Sequence, residues 1–215
     1  MISSRFERTV LLIIIAITSH EALAQPPYLK KFCFPNQGNY TINSTYHTNL
    51  ETLLSKFLLP INSKGYGFYS SSNGQNNVEN VYASGLCRSD IDPKTCHICL
   101  SIAADTITQV CPNKKQAILW RNNCTLRYSN RTLYGVMEAA PPFLQASNQN
   151  VVPSVVDRFN QELKSLMERV RSEAAAGSSD QQLKFAIGNT TLEGSNTSQT
   201  IYGLAQCTPD LSEKD

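Results

Sequence analysis

The clearest hydrophobic pattern in the chain lies between residues 48 and 58. Apolar side chains recur there at positions i, i+3, i+4, i+7 and i+8, which is the spacing of one face of an α-helix. These positions are Leu50, Leu53, Leu54, Phe57 and Leu58. Pro60 follows, and proline cannot continue a helix because it lacks a backbone N–H. The pattern therefore predicts an amphipathic helix that ends before Pro60.

Short apolar stretches after this helix predict strands. Residues 66–69 and 80–87 are rich in aromatic and apolar side chains, and the Ser-, Asn- and Gly-rich residues 70–77 between them predict a turn. Residues 117–120 and 125–128 predict two further strands that pair with each other.

A second helix is predicted to begin at Asp92 and Pro93. Aspartate is a favoured N-cap residue, and proline is favoured at the first helical position. The helix runs to about residue 109, with Ile98, Ile102 and Val110 among its apolar positions. The order helix, strands, helix, strands predicts a compact α+β domain.

The second half of the chain begins with another helical pattern. Its apolar positions are Val152, Val155, Val156, Phe159, Leu163, Leu166, Met167 and Val170. A stripe of this kind is more often a core face than a binding surface. Residues 183–187 and 200–207 predict strands, and residues 188–198 predict a polar loop between them.

Two stretches that lie 120 residues apart have the same shape. Residues 81–87 (Val-Tyr-Ala-Ser-Gly-Leu-Cys) correspond to residues 201–207 (Ile-Tyr-Gly-Leu-Ala-Gln-Cys), and the eight residues after each also correspond. Internal repetition predicts two copies of one structural unit. We expect a complete cysteine-rich repeat over residues 25–137, and a second repeat over residues 138–215 that is truncated before its Cys-x-x-Cys sequence.

The first 24 residues have the parts of a secretory signal peptide. Arg5 and Arg8 form a basic region, residues 10–17 are continuously apolar, and residues 22–24 (Ala-Leu-Ala) fit the cleavage rule. The apolar run is about half the length that spans a bilayer, and no other stretch approaches that length. We therefore expect cleavage before Gln25 and a secreted, extracellular protein.

Charge and sequons agree with an extracellular chain. The net charge is +2 with both signs scattered, so nucleic acid is not an expected partner. Asn-x-Ser/Thr triplets are glycosylation acceptors in secreted proteins. Those of this chain are Asn39, Asn43, Asn123, Asn130, Asn189 and Asn196. Asn123 is the weakest of them because a disulfide at its middle residue, Cys124, would compete with glycan transfer.

Seven cysteines divide into a cluster and a single residue. The cluster comprises Cys33, Cys87, Cys96, Cys99, Cys111 and Cys124. An even number in an oxidising compartment predicts three disulfides, with their pairing left open. Cys207 is then an odd thiol, available for a disulfide-linked dimer or for redox sensing.

The sequence Cys96-His-Ile-Cys99 has alternative interpretations. It could be a thioredoxin-type redox site, or half of a zinc site, but the chain lacks a second cysteine pair at zinc spacing. Structural disulfides are the default interpretation for a secreted chain. We expect no metal and no cofactor.

Candidate catalytic residues are scarce. Once the signal peptide is removed, His47 and His97 are the remaining histidines. The chain has no Gly-x-Ser-x-Gly sequence and no His-Arg-Asp sequence of a kinase. We expect that the protein is not an enzyme.

The cysteine spacing and its flanking sequences resemble those of a plant extracellular family. Cys87-x8-Cys96-x2-Cys99, with Tyr82, Leu100, Cys111 and residues 123–128, resembles the ginkbilobin-homologous, or salt-stress-response/antifungal, domain. Residues 202–211 are particularly similar to cysteine-rich repeat secretory proteins and to ectodomains of cysteine-rich receptor-like kinases. The resemblance implies two helices packed on a mostly antiparallel sheet. It also implies the disulfides Cys33–Cys111, Cys87–Cys96 and Cys99–Cys124.

The resemblance further implies a secreted, non-catalytic module of apoplastic stress or defence signalling, which binds a cell-wall component or a receptor ectodomain. One alternative is a mannose-type lectin with antifungal activity. The polar residues with which the ginkbilobin-type member holds mannose correspond here to Phe34, Ile118 and Ser129, which cannot supply the same hydrogen bonds. Another alternative is a truncated or degenerate receptor-kinase ectodomain without independent function.

Overall fold

The computed structural model describes residues 29–57, 67–75, 78–138, 140–148, 150–177, 184–193 and 198–214. Predictions on the signal peptide, Leu58, Pro60, Tyr66, Leu183 and the sequon at Asn196 lie outside these ranges. Within the ranges, no helix has both the length and the apolar composition needed to cross a bilayer.

The first unit, residues 29–138, is a five-stranded antiparallel sheet covered on one face by two helices. Its strands are β1 (Leu29–Cys33), β2 (Phe68–Gln75), β3 (Val78–Cys87), β4 (Ala117–Arg121) and β5 (Cys124–Ser129), and its helices are α1 (Thr45–Ser55) and α2 (Pro93–Val110). The strand order is β1-β4-β5-β3-β2. The predicted α+β fold of helices on a mostly antiparallel sheet is confirmed.

Helix α1 carries the amphipathic pattern that the sequence predicts, but it begins three residues earlier. Ser44 caps it, and the Ser44 hydroxyl accepts a hydrogen bond from the His47 backbone N–H at 3.2 Å. Such a cap satisfies one of the free N–H groups at a helix start. The side chains that α1 and its last turn bury are Tyr46, Leu50, Leu53, Leu54 and Phe57.

Helix α2 begins at the predicted cap. The Asp92 carboxylate accepts hydrogen bonds from the backbone N–H groups of Lys94 and Thr95. The Thr95 hydroxyl also donates to this carboxylate, and this hydrogen bond is the main cause of the lowered pKa of Asp92. Asp92 and Pro93 therefore fix the start of α2 as the sequence predicts.

The buried face of α2 is not the one that Ile98 and Ile102 suggest. These two side chains are 48% and 42% exposed. The buried residues are Cys96, Cys99, Leu100, Ala103, Ala104 and Ile107. The two cysteines turn toward the sheet to reach their disulfide partners, and helical periodicity then buries the residues one, two and three turns further along.

The sheet therefore has two different faces. Alternate residues of the central strands, such as Ala83, Leu119, Leu126 and Tyr128, are fully buried beneath the helices. The opposite side, called the outer face below, carries side chains of β2 to β5 that lie next to one another: Phe68, Ser84, Leu86, Ile118, Thr125 and Arg127.

Residues 70–75 belong to a strand, whereas the sequence predicted a turn over residues 70–77. Strand β2 pairs with β3 from Phe68, opposite Leu86, to Asn73, opposite Val81. β2 lies at the edge of the sheet, and several of its side chains are exposed. Polar serines are tolerated there because backbone pairing, rather than burial of side chains, holds the edge strand.

The second unit is one helix packed on one hairpin. Its elements are α3 (Val156–Ala176), preceded by a 3-10 turn (Pro153–Val155), β6 (Phe185–Glu193) and β7 (Ser198–Gln206). Leu166, Val170 and Ala174 pack against Ala186 and Ile201 to form its core. The hairpin thus covers only part of the predicted helical face, because Val152, which precedes the helix, and Val156 and Met167 within it are exposed.

The predicted loop over residues 188–198 is also largely strand. β6 continues to Glu193, and its residues pair with β7 from Phe185, opposite Gln206, to Glu193, opposite Ser198. The Thr-rich composition of this stretch suits a half-exposed strand, and the prediction gave its Asn and Gly residues too much weight as turn signals.

The β2–β3 hairpin and the β6–β7 hairpin end with the same backbone hydrogen bond from a cysteine N–H. The Cys87 backbone N–H donates to the Gly67 carbonyl at 2.8 Å, and the Cys207 backbone N–H donates to the Lys184 carbonyl at 2.8 Å. The sequence similarity between residues 81–87 and 201–207 therefore corresponds to a similar backbone geometry.

Candidate functional site

The described structure has three disulfides: Cys33–Cys111, Cys87–Cys96 and Cys99–Cys124. These are the pairs that the family resemblance implies. Cys96 is bonded to β3 and Cys99 to β5, so neither sulfur is the thiolate that redox catalysis or zinc binding requires. In the ranges that the structure describes, no group of three or more His, Cys, Asp or Glu side chains could hold a metal ion.

His47 has a structural environment at the start of α1. Its Nδ1 accepts a hydrogen bond from the Asn43 backbone N–H at 3.2 Å, and its Nε2 lies 3.4 Å from Glu51 Oε1. The imidazole stacks on the Tyr40 ring with 5.3 Å between centroids. These contacts occupy both ring nitrogens and one ring face, so His47 is placed to stabilise the helix start.

The sequons differ in accessibility. Asn39, Asn43, Asn130 and Asn189 are exposed, whereas Asn123 is half-buried beside Cys124. Because Cys124 is in a disulfide, we continue to predict that Asn123 is the poorest acceptor. Glycosylation of the four exposed positions stays a prediction, supported by their exposure.

Cys207 is a free thiol at the end of β7. It is half-buried, and it packs at the edge of the core formed by α3 and the β6–β7 hairpin. A disulfide between two copies of the chain through Cys207 stays a prediction.

The positions that correspond to a mannose site in the ginkbilobin-type lectin lie at or near the outer face. Ile118 is directly opposite Arg127 in the β4–β5 pair, and the Arg127 guanidinium carbon lies 5.6 Å from the centre of the Phe34 ring. Ser129 is fully buried, and its hydroxyl accepts a hydrogen bond from the Arg131 backbone N–H. A buried serine cannot contact a sugar, which argues against a mannose site here.

A cavity of about 380 Å³ separates the outer face from the second unit. One wall is the outer face itself, with Phe68, Leu86, Ile118 and Arg127. The second wall is formed by residues 133–138, called the connecting segment below, and its lining residues are Leu133, Val136, Met137 and Glu138. The third wall is the end of β7 and the turn that follows it. Its lining residues include Gln206, Cys207, Thr208, Asp210 and Leu211.

Arg127 is the cation among the residues that line this cavity, and its side chain is 14% exposed. One guanidinium nitrogen donates to Glu138, whose carboxylate also accepts from Arg131 at 3.4 Å. Burial lowers the pKa of Arg127, and the positive charge of Arg131 adds to that effect. The buried Arg127 Nε–H has no hydrogen-bond partner among the described residues.

A carboxylate faces the cavity from the second unit. Asp210 Oδ2 accepts a hydrogen bond from the Gly135 backbone N–H at 2.6 Å, whereas its buried Oδ1 has no partner among the described residues. The corresponding residue in the first unit, Asp90, forms an ion pair with Arg88 at 2.5 Å. Because Thr208 replaces that arginine, Asp210 lacks the local cation and contacts the connecting segment instead.

The two units are also joined directly. The Gln206 side-chain amide donates to the Cys87 carbonyl at 2.8 Å and to the Ser89 hydroxyl at 3.1 Å. This pair of hydrogen bonds fixes the end of β7 beside the end of β3, and so positions the third wall of the cavity.

Sequence reasoning missed Arg127, Glu138 and Asp210 as members of one site. Their separation along the chain conceals the cluster, because only the packing of the second unit on the outer face brings them together. A signal was present in the repeat: the aspartate occurs in both copies, but its arginine partner occurs in one.

The fold and the disulfides define a class of cysteine-rich, disulfide-bonded modules in which helices pack on antiparallel sheets. The sequence pattern of the salt stress response/antifungal family matches residues 32–131. An antimicrobial ginkbilobin-2-like protein from Castanea crenata is 34% identical over 215 residues, which cover 100% of this chain and 83% of that protein. The chain belongs to this family, and the resemblance inferred from the cysteine spacing is confirmed.

Other similar proteins are larger. Cysteine-rich receptor-like protein kinase 25 of Arabidopsis thaliana is 37% identical over 213 residues, which are 99% of this chain but 30% of the kinase. The chain thus spans less than a third of the length of that relative. A similar fold is found in the tandem DUF26 ectodomain of the Arabidopsis thaliana cysteine-rich receptor-like protein PDLP8, with a TM-score of 0.69 and 24% sequence identity. The match covers 86% of this chain and 79% of that ectodomain.

Proposed function

We propose that this protein is a secreted, non-catalytic module of apoplastic stress or defence signalling that binds the ectodomain of a receptor-type protein. Membership of a family with secreted and ectodomain-type members supports the extracellular part of this proposal. We also propose that residues 138–215 are a partial second repeat, because α3, β6 and β7 are arranged as α1, β2 and β3 are.

The observation that carries the binding proposal is an exposed apolar surface on the β6–β7 hairpin. Ile187, Tyr202 and Leu204 are 65%, 77% and 41% exposed, and Ile187 lies directly opposite Leu204. We call these three residues the hairpin surface. The corresponding positions of β3, Tyr82 and Ser84, are half-buried in the first unit. The same side of the repeat is therefore partly covered in one unit and open in the other.

The chemistry of the hairpin surface favours a protein partner over a polysaccharide. Exposed aromatic and aliphatic side chains that lie together are typical of protein interfaces. Ile187 and Leu204 have no group that can hydrogen-bond a sugar hydroxyl, whereas carbohydrate selectivity depends on such groups. A cell-wall component is accordingly the less favoured occupant.

Binding of the labelled full chain to plant cells tests this proposal. We expect binding to persist on protoplasts, whose walls have been removed, and to disappear after protease treatment of their surface. The variant Tyr202→Ser/Leu204→Ser should bind at least about tenfold more weakly, since interface truncations at central aromatic positions commonly have effects of this size.

Tyr134→Ser/Leu144→Ser is the matched control, because Tyr134 and Leu144 are 65% and 88% exposed but lie outside the hairpin surface. Binding that is lost with the wall and resists protease would identify a wall component instead of a receptor. Equal binding by the two double variants would show that the hairpin surface is not the contact.

A further inference from the structure

We infer that the cavity between the two units binds a small neutral molecule with an apolar body and hydroxyl groups. This inference does not depend on the proposed receptor contact, because the hairpin surface and the cavity have no residue in common. It concerns the space between the outer face, the connecting segment and the turn after β7.

The size and position of the cavity suit a small ligand. Its volume of about 380 Å³ lies within the usual range for small-molecule pockets of about 300–1,000 Å³, which occur preferentially between domains. The Gln206 hydrogen bonds to Cys87 and Ser89 hold the two sides of the cavity together. The cavity therefore exists before a ligand binds.

A large part of the cavity wall is apolar. Phe68, Leu86 and Ile118 line it from the outer face, and Val136 and Leu211 line it from the opposite walls. None of these side chains has a hydrogen-bonding group. Burying an apolar ligand surface against them is favourable because that surface leaves water.

Two side chains that line the cavity, those of Arg127 and Asp210, each have one polar atom without a hydrogen-bond partner among the described residues, and the needs of these two atoms are complementary. Arg127 Nε–H can only donate, and Asp210 Oδ1 can only accept. Both atoms are buried without a hydrogen-bond partner among the described residues, and leaving such atoms unsatisfied is costly. Hydroxyl groups fit both requirements, since a hydroxyl oxygen accepts and its hydrogen donates.

The charges around the cavity favour a neutral ligand. The two cations, Arg127 and Arg131, share the Glu138 carboxylate, and Asp210 lies on the opposite wall. With Arg131, which contacts Glu138 but does not itself line the cavity, two cations balance the two carboxylates, so neither an anion nor a cation gains from the net charge. A carboxylate group on the ligand would lie near the carboxylates of Asp210 and Glu138, which would repel it.

The test uses 4-(3-hydroxypropyl)phenol as the probe, with NMR titration of the isotope-labelled full chain. We expect saturable shifts of the Gln206 side-chain amide, which lies at the cavity wall, and of the Gly135 backbone amide, which donates to Asp210 of that wall. The dimethyl ether of the probe keeps the body and loses the donors to Asp210, so it should bind at least about tenfold more weakly. The carboxylate analogue, 3-(4-hydroxyphenyl)propanoate, should also bind more weakly.

Ser84→Phe fills the cavity from the outer face, and we expect it to weaken probe binding by at least about tenfold, since a blocked site loses the burial that drives binding. Ser70→Phe is the matched control: Ser70 lies directly opposite Ser84 on β2, is exposed, and does not line the cavity. That variant should bind as the unaltered chain does.

Three results would overturn the inference: no saturable binding, shifts at amides remote from the cavity, or equal binding of the probe and its dimethyl ether. Equal probe binding by folded Ser84→Phe and Ser70→Phe would also overturn it. Should Ser84→Phe fail to fold, the shift map and the ether comparison on the unaltered chain decide the question.

Discussion

The helix–hairpin of the first unit and that of the second unit share an arrangement but differ in what stabilises them. In the first, β3 continues into a wider sheet through β5, and Cys87 is bonded to Cys96. In the second, β7 pairs with β6 alone among the described strands, and Cys207 is a free thiol. A helix on a hairpin can thus form its own small core, whereas the disulfides stabilise the larger unit.

Helix α2, which the first unit has in addition, limits the size of the side chain at position 85, as a comparison of Gly85 with the corresponding Ala205 shows. A Cβ atom on Gly85 would lie 2.9 Å from Leu100 of α2 and 3.0 Å from the Phe57 ring, so a larger residue there would require these side chains to move. The corresponding residue of the second unit is Ala205, which is half-buried. Because no described helix occupies the place of α2 beside β7, the methyl group of Ala205 is accommodated.

The largest expected effect comes from removing the disulfide with the longest loop. Cys33→Ser/Cys111→Ser should lower the free energy of unfolding of the first unit by roughly 4–5 kcal/mol, since the bond restricts the unfolded chain over a sequence separation of 78 residues. Chemical denaturation measures the loss, and the secreted yield should fall with it. Unchanged stability and secretion would show that this bond does not stabilise the first unit.

A core truncation in the second unit should have a smaller and local effect. Leu166 is 2% exposed, and Leu166→Ala should cost about 2–5 kcal/mol through lost burial and the cavity left behind. Hydrogen exchange should accelerate in β6 and β7 but not in β3 or β5. Met167→Ala is the control, because Met167 is 39% exposed. Accelerated exchange in both units would show that they unfold together.

A methyl group added at the crowded glycine should distinguish the units further. Gly85→Ala should destabilise the first unit by about 1–3 kcal/mol, because Leu100 and Phe57 must move to accept it. The converse change, Ala205→Gly, removes one methyl group without a clash and should cost less. Thermal denaturation measures the loss of stability in each variant. Equal losses would show that α2 does not restrict the side chain at position 85.

The smallest effect on stability is expected at the free thiol. Cys207→Ser should leave the thermal midpoint of the first unit unchanged, because Cys207 belongs to no disulfide. If the predicted intermolecular disulfide forms, a dimer band on non-reducing gels should be present for the unaltered chain and absent for the variant. A monomer under all oxidising conditions would exclude that dimer.

The elements that could be predicted from sequence are those with strong local signals. The leucine spacing of α1, the Asp92 cap of α2 and the apolar runs of β4 and β5 each have a local physical cause, and the structure contains them. The family resemblance implied the cysteine pairs, which the residues alone left open.

The failures occurred where tertiary pairing outweighed local preference. Serine and asparagine favour turns in isolation, yet residues 70–75 form an edge strand because β3 supplies the backbone partners. The sequence also left open which face of α2 is buried: Ile98 and Ile102 are apolar yet exposed, because the disulfides of Cys96 and Cys99 turn the opposite face inward. The cavity could not be predicted either, because Arg127 and Asp210 are remote in sequence. They line the same cavity only because the two units pack together.

Native-state hydrogen exchange of the full chain, measured with and without a disulfide reductant, tests the contrast between the units most directly. Exchange reports opening free energies element by element. Before reduction, β3, β4 and β5 should be more protected than β6 and β7; after reduction, the first group should lose protection while the second is unchanged. The contradicting result has two parts: β6 and β7 are as protected as β3, β4 and β5 before reduction, and all five strands lose protection together after it. The second unit would then have no independent core.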